Sequence, residues 1–297
     1  NVHGFELWKS NGTEAGTIMV RDIYTGTGGS SSQSLELVAV ESTLFFNASE
    51  GVHGRELWKS DGTHDGTALV KDINPGSAFS WPLDLTNVDG TLFFEADDGV
   101  HMSELWKSDG TEDGTVLVKD ICHDCSSSVS WLTNVNGTLF LCADDLLHGH
   151  ELWKSDGTEA GTVMVKDIYA GAPGGVGELT KVNGTVFFSS MGELWKSDGT
   201  EAGTVMVKNI HLSGDSKPQS LTNVNGMLFF TAYETTHGRE LWRSNGTEEG
   251  TVICTDINPD YRSSDPDELT KVGGTLFFTA YNDDHGEELW GLMVEAP

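Results

Sequence analysis

One phrase of residues recurs along this chain and leaves few folds open to it. It reads His-Gly-x-Glu-Leu-Trp-Lys-Ser-Asp-Gly-Thr, a short gap, then Gly-Thr-Val-x-Val-Lys-Asp-Ile. The Glu-Leu-Trp triplet ends at Trp8, Trp58, Trp106, Trp153, Trp195, Trp242 and Trp290, so six steps average 47 residues each. A fixed period of that length specifies an array, in which each unit buries its apolar face against the next.

Each unit holds four strand-like runs, seen clearly over residues 178 to 210. Glu178-Leu-Thr-Lys-Val182 (run A) meets Thr185-Val-Phe-Phe-Ser189 (run B) across Asn183-Gly184, a dipeptide suited to a type I′ hairpin because both central residues need positive φ. Run C is Glu193-Leu-Trp-Lys-Ser197, and run D is Gly203-Thr-Val-Met-Val-Lys208. Aromatic and β-branched residues fill all of them. The A–B turn recurs as Asp89-Gly90, Asn136-Gly137, Asn225-Gly226 and Gly273-Gly274, and the C–D turn as Asp-Gly-Thr-x-x-Gly-Thr, as at Gly62 and Gly66.

The longest connection runs from D to the next A, for example Tyr169 to Gly177. A β-propeller blade requires this asymmetry, since its outermost strand must return to the innermost strand of the next blade. Adjacent apolar pairs such as Phe187-Phe188 and Leu194-Trp195 make both faces of each sheet apolar, as a sheet between two others needs. A solenoid is the competing repeat architecture, with shorter repeats and parallel strands. The sequence therefore predicts an all-β propeller in one domain over residues 1–297. It supplies six A, six B, seven C and six D runs, which suits six four-stranded blades closed by placing Gly16–Ile23 beside Glu288–Val294. The surplus C run, within residues 1–15, is then an edge strand. Seven blades, or part of a longer propeller, are the alternatives.

These units resemble the ELWxxDGT repeat family, on the motif Glu151-Leu-Trp-Lys-Ser-Asp-Gly-Thr158 and its copies along essentially the whole chain. The last copy, Glu288-Leu-Trp-Gly-Leu-Met293, departs after the Trp. The resemblance implies a secreted or surface-exposed repeat protein, often part of a larger chain, and brings no catalytic residues with it.

Charge narrows the partners. A formal net charge of −29 excludes ordinary nucleic-acid binding, which depends on Lys and Arg neutralising phosphates. Of the 17 basic residues, 11 sit at two repeat positions: Lys9, Lys59, Lys107, Lys154, Lys196 and Arg243 after the Trp, and Arg21, Lys71, Lys119, Lys166 and Lys208 ending run D. That spacing marks them as architectural. No apolar run reaches membrane-span length, so no membrane insertion is expected. The mature chain is expected to be soluble and extracellular, with a protein or glycan as partner.

Candidate site residues lie where the repeats differ. The rim of B–C and D–A loops gathers Trp81, Trp131, His123, Asp124, His148 and His150 as a binding surface, with Asp97, Asp98, Asp144, Asp145, Asp283 and Asp284 as oxygen ligands for Ca²⁺. The structural readings beside these are that the tryptophans plug the ring and the acidic pairs are solvated. A Cys125–Cys142 or Cys122–Cys125 disulfide suits a secreted chain, and Cys254 reads as a buried thiol. Sequons stand at Asn11, Asn47, Asn136, Asn183 and Asn245; an Asn-Gly turn leading into Thr generates most of them. The His before strand C, at His3, His53, His101, His148, His237 and His285, recurs too regularly for a unique site and reads as a loop anchor.

Two functions follow. The first is a non-enzymatic extracellular scaffold acting through its rim loops in adhesion, matrix assembly or glycan recognition, possible self-assembly arising through the N-terminal strand. The second is a propeller hydrolase or lyase with its site over the central channel. Acid/base residues clustered unevenly on the inner strands discriminate between them, and the near-uniform Leu-Thr-Asn-Val of run A favours the scaffold.

Overall fold

The computed structural model describes residues 3, 5–25, 36–168, 170, 174–259 and 261–294. Part of the long connection from Tyr169 lies outside the described residues, as do Asn1, Val2 and Gly4 of the expected edge segment. Every regular element described is a strand, so the chain is all-β. The chain divides into two compact units, residues 1–147 with 155–163, and residues 148–154 with 164–297.

The first unit opens with the hairpin β1 (Leu7–Lys9) and β2 (Ile18–Arg21). Two antiparallel sheets follow, each meandering in chain order: β3 (Leu37–Val40), β4 (Thr43–Ala48), β5 (Glu56–Ser60) and β6 (Ala68–Lys71), then β7 (Leu83–Val88), β8 (Thr91–Asp97), β9 (Ser103–Ser108) and β10 (Val116–Lys119). The pair β11 (Ser130–Val135) and β12 (Thr138–Asp144) comes next. In the second unit β13 (Gly149–Ser155) pairs with β14 (Val163–Lys166), and its first residues run parallel to β15 (Gly174–Val182). That strand begins the sheet completed by β16 (Thr185–Ser190), β17 (Glu193–Ser197) and β18 (Val205–Lys208). Then come β19 (Gln219–Val224), β20 (Met227–Glu234), β21 (Gly238–Ser244) and β22 (Val252–Thr255), and last the three-stranded β23 (Asp267–Val272), β24 (Thr275–Asn282) and β25 (Gly286–Met293).

The repeat phrase is explained residue by residue. In the C–D turn, Ser60 Oγ accepts from Gly62 N–H (3.0 Å), Asp61 Oδ1 accepts from Thr63 N–H and hydroxyl (2.8 and 2.6 Å), and Thr63 Oγ1 accepts from Gly66 N–H (3.0 Å). A side chain at Gly66 would collide with Asp61, its Cβ falling 2.1 Å from Oδ1. The Glu before Leu-Trp is buried and accepts the N–H of the Ile that ends the D segment: Glu56 from Ile73 at 2.9 Å, Glu104 from Ile121 at 2.8 Å, Glu240 from Ile257 at 3.1 Å. Ser80 adds its N–H and hydroxyl to Glu56. A buried carboxyl thus pins the return to the next sheet, its hydrogen bonds offsetting part of the desolvation that raises it.

Basic residues staple consecutive sheets together. Lys59 Nζ donates to Gly110 O, Lys107 to Gly157 O, Lys154 to Gly199 O and Lys196 to Gly246 O, each at 2.8 Å, while Lys71 reaches Thr115 O at 2.8 Å. The architectural reading of these cations is their observed role. Between sheets, Trp106 packs with Val40, Phe45, Leu57 and Val70, and Trp242 with Val182, Phe187, Leu194 and Val207.

The expected closing pair does not form. The strand within Gly16–Ile23 pairs with β1, not with β25, which stands at the edge of a three-stranded sheet. Local chemistry decides this: the turn at Asn11, Gly12 and Thr13 closes on itself, and a strand reached through a built turn outcompetes a distant partner.

Candidate functional site

The site is built by a bulge at the entrance of the inner strands. Pairing of β7 with β8 slips between Leu83 and Thr86, and β11, β15, β19 and β23 slip at the matching place. The bulged residues are left-handed: Asp84 (φ 54°), Trp131 (58°), Glu178 (54°), Ser220 (57°) and Glu268 (53°). Glu36 stands at the same repeat position before β3. This position lies one residue upstream of the uniform Leu of run A, and it is anything but uniform. A bulge re-aims its side chain away from the sheet pattern and is common beside functional sites.

In the first unit three carboxyl groups share this region. Glu36 Oε2 accepts the N–H of Leu85 at 2.8 Å. Burial raises the Asp84 carboxyl, the charge of Glu36 raises it further, and the Trp131 N–H opposes both. Glu95 on β8 is pushed to about 7, chiefly by burial and then by Asp84, against a hydrogen bond from Ser103. At neutral pH, Glu95 is therefore poised to take or give a proton. Asn47, the β4 counterpart of Glu95, is fully buried; its Nδ2 donates to Pro82 O at 2.9 Å and its Oδ1 has no hydrogen-bond partner.

Trp81 is half-exposed and left-handed (φ 48°), with Phe79 edge-on at 5.3 Å and the Arg55 guanidinium 4.9 Å from its ring centre. Burial lowers the Arg55 guanidinium from its ordinary value. Trp131 is also exposed, yet it occupies the Asp84 position of the repeat, whereas the counterpart of Trp81 there is Ser128. The two tryptophans are therefore not equivalent plugs. In the second unit, Glu178 Oε2 accepts from Leu221 N–H at 3.1 Å, and Arg239 donates to Lys217 O (3.0 Å) and Thr231 Oγ1 (3.2 Å).

Several of the remaining predicted residues bond within their own loops. His101 Nδ1 donates to Asp98 at 2.8 Å, His123 to Asp120 at 2.9 Å and His53 to Glu50, and these carboxylates raise all three imidazoles. His148 and His150 are half-buried. Asp97 caps Gly99 N–H, Asp98 caps Val100 and His101, Asp144 caps Leu146, and Asp145 caps Leu147. Asp283 pairs with Arg262, and Asp284 is exposed. Asp124 takes a left-handed turn (φ 72°). Among the described residues no three His, Cys, Asp or Glu side chains gather as metal ligands.

The disulfide joins Cys122 to Cys125, whose Cα atoms are 5.2 Å apart, rather than Cys125 to Cys142. Cys142 is buried within β12, where its backbone is committed to the sheet; the nearer thiol, three residues away in the same loop, wins. Cys254 is half-buried, and burial pushes its thiol up to about 12. Of the sequons, Asn47 is buried and its amide committed to Pro82, which leaves no room for a glycan. Asn11, Asn136, Asn183 and Asn245 are exposed turn residues.

No family model and no curated protein matches the sequence. Solved structures match the fold. A puromycin hydrolase S511A mutant complexed with PGG is 14% identical with a TM-score of 0.51, over 87% of this chain and 43% of its own. A puromycin-hydrolyzing peptidase of Mycobacterium tuberculosis is 10% identical with a TM-score of 0.53, over 90% and 43%. Prolyl oligopeptidase B of Galerina marginata, bound to a 35mer hydrolysis and macrocyclization substrate, is 10% identical with a TM-score of 0.54, over 87% and 42%. The chain spans less than half the length of each. These likenesses are of fold, and the three proteins named are peptidases. The expected non-enzymatic scaffold is corrected on this ground alone: the named proteins that share the fold are peptidases.

Proposed function

We propose that the chain is a propeller-type portion of a peptidase-related protein and that it binds the cationic end of a peptide at the strand entrances of its first unit. The carrying observation is that Glu36 acts on Asp84, Asp84 on Glu95, and the exposed Trp131 donates its N–H to Asp84. Carboxylates in a partly desolvated setting attract an ammonium group more strongly than they do in water, and aromatic faces take its apolar neighbour. The hydrolytic step is assigned to the longer protein, in keeping with the share of the peptidases that the chain spans. The meandering four-stranded sheets support blades of a propeller, six by strand count. The Cys122–Cys125 bridge supports an oxidising compartment.

Calorimetry with phenylalanyl-alanine amide, set against its N-acetyl form, tests this reading. The free amine should bind, most tightly between about pH 7 and pH 8, where Glu95 has ionised and the α-ammonium is still largely protonated, and Asp84→Asn should weaken it about tenfold or more. Equal binding of the acetylated peptide would sink the proposal.

A further inference from the structure

Five Asn-Gly pairs stand in the turns of this chain, and four of them hold the glycine N–H in a side-chain hydrogen bond. In the C–D turns, Ser10 Oγ accepts from Gly12 N–H and Ser244 Oγ from Gly246 N–H, both at 3.0 Å. In the A–B turns, Asn134 Oδ1 accepts from Gly137 N–H and Asn223 Oδ1 from Gly226 N–H, again at 3.0 Å. The fifth pair is Asn183-Gly184. Lys181 stands there where Asn134 and Asn223 stand in their own turns, and an ammonium group has donors but no acceptor to offer. No side chain among the described residues caps Gly184 N–H, and the backbone pairing of the hairpin, Val182 with Thr185, passes it by. Backbone shape does not separate the A–B turns: φ is 54° at Asn136, 48° at Asn183 and 54° at Asn225, and 84°, 80° and 84° at the glycines that follow. The amides of Asn183 and Asn225 are also held alike, Nδ2 donating to Gly226 O at 2.8 Å and to Val294 O at 3.0 Å. What differs is the cap on the next N–H.

We propose that Asn183 is a site of spontaneous covalent modification, its amide passing through a cyclic imide to aspartate and isoaspartate ahead of the other Asn-Gly pairs. Asn is a thermolabile side chain, and glycine after it leaves the attacking nitrogen uncrowded because it has no Cβ. In the first step Gly184 N bonds to Asn183 Cγ, the Cγ–Nδ2 bond breaks, and ammonia leaves with the proton that Gly184 N gives up. Water then opens the ring at either carbonyl, so that no oxidant, reductant or cofactor takes part. A capped N–H must lose its hydrogen bond before it can attack, whereas Gly184 N–H has none of this kind to lose. Asn183 is exposed, which gives water access to the ring. The product lacks the donor that holds Gly226 O and sets a carboxylate oxygen beside that carbonyl. The latch between the turns of β15–β16 and β19–β20 is thereby released. The fold accommodates such a turn, since Asp89-Gly90 already carries the acid at the same repeat position, with φ 48° and 91°.

Peptide mapping by mass spectrometry of the full chain, aged in mildly alkaline buffer, tests this. Asn183 should convert about fivefold faster than Asn136 or Asn225, the factor that one ordinary hydrogen bond supplies. Lys181→Asn, at an exposed position, should slow Asn183 by about the same factor. The reciprocal change, Asn134→Lys, should quicken Asn136 in the first unit and leave Asn183 as it was. Both substitutions bring in a residue that the repeat already carries at that place, Asn at 134 and 223 and Lys at 181, so the folded state is retained. Equal rates at Asn183, Asn136 and Asn225 would overturn the proposal, and so would a rate at Asn183 that Lys181→Asn leaves unchanged. An Asn183 that stays intact in the folded chain while it converts in urea would show that the Gly226 latch protects it, and that outcome would sink the proposal as well.

Discussion

The interior sheet β7–β10 and the outlying strands β1–β2 and β23–β25 are written in nearly the same residues and meet opposite fates. Leu105 is fully buried, whereas its counterpart Leu289 is 71% exposed. Glu104 holds Ile121 and Cys122 through their N–H groups, while Glu288 lies exposed at the sheet edge. A repeat residue therefore has no fixed energetic value of its own. Its worth comes from the neighbour that covers it, as expected of a fold whose stability is largely interfacial.

That contrast can be broken or sharpened by measurement. The largest expected effect is at the tryptophans: Trp106→Ala should destabilise by roughly 3 to 5 kcal/mol in denaturant unfolding, and Trp8→Ala by less than about 1 kcal/mol. Equal losses would show that β1–β2 is covered in solution. The second is a pH effect on the interior sheets. Glu56 and Glu95 are both raised to about 7, mainly by burial, so the folded state holds protons that the unfolded chain releases near 4.5. Their contribution is fully present below about pH 4.5, declines as pH rises, and is lost above about pH 7. It amounts to roughly 3 kcal/mol at most for each. Glu95→Gln should flatten part of this slope, and a stability that rises from pH 5 to pH 8 would contradict the assignment. Repulsion within a chain of charge −29 acts in the same direction.

A third measurement compares Glu104→Ala with Glu288→Ala. Removing the buried anchor strands two N–H groups and should cost about 2 kcal/mol or more, while the exposed copy should cost almost nothing. The smallest effect concerns Ca²⁺. Because Asp97, Asp98, Asp144 and Asp145 already cap N–H groups of their own loops, EDTA should leave the melting temperature unchanged. A shift would restore the sequence-based expectation of a cation at these loops.

Much of the architecture was legible because it is local. Asn-Gly and Asp-Gly turns, the alternation of strand and turn, and the two ranks of cations all follow from residues close in sequence, and repetition exposes them. The candidate site was partly legible too. Aligning the repeats one residue upstream of run A would have set Glu36, Asp84, Trp131, Glu178, Ser220 and Glu268 in one column and shown that it varies. What hid it was the bulge: a left-handed residue at the strand entrance leaves no trace in the period-2 pattern, and Asp, Trp, Glu and Ser share no propensity that would flag it. The disulfide was half legible, since spacing allowed two partners and only the placement of Cys142 inside a strand selects one.

By itself the sequence determined the all-β class, the four-strand repeat, the turn chemistry and the role of the stapling cations, since each depends on contacts within a unit or between one unit and the next. Tertiary structure alone decided which copies are buried, that β2 stays with β1 instead of joining β25, that Glu36 raises Asp84 and Asp84 raises Glu95, and that Arg243 faces a cavity. The physical reason is that burial and electrostatic coupling are properties of neighbours across space, and identical residues acquire different neighbours when the array reaches its first and last sheets.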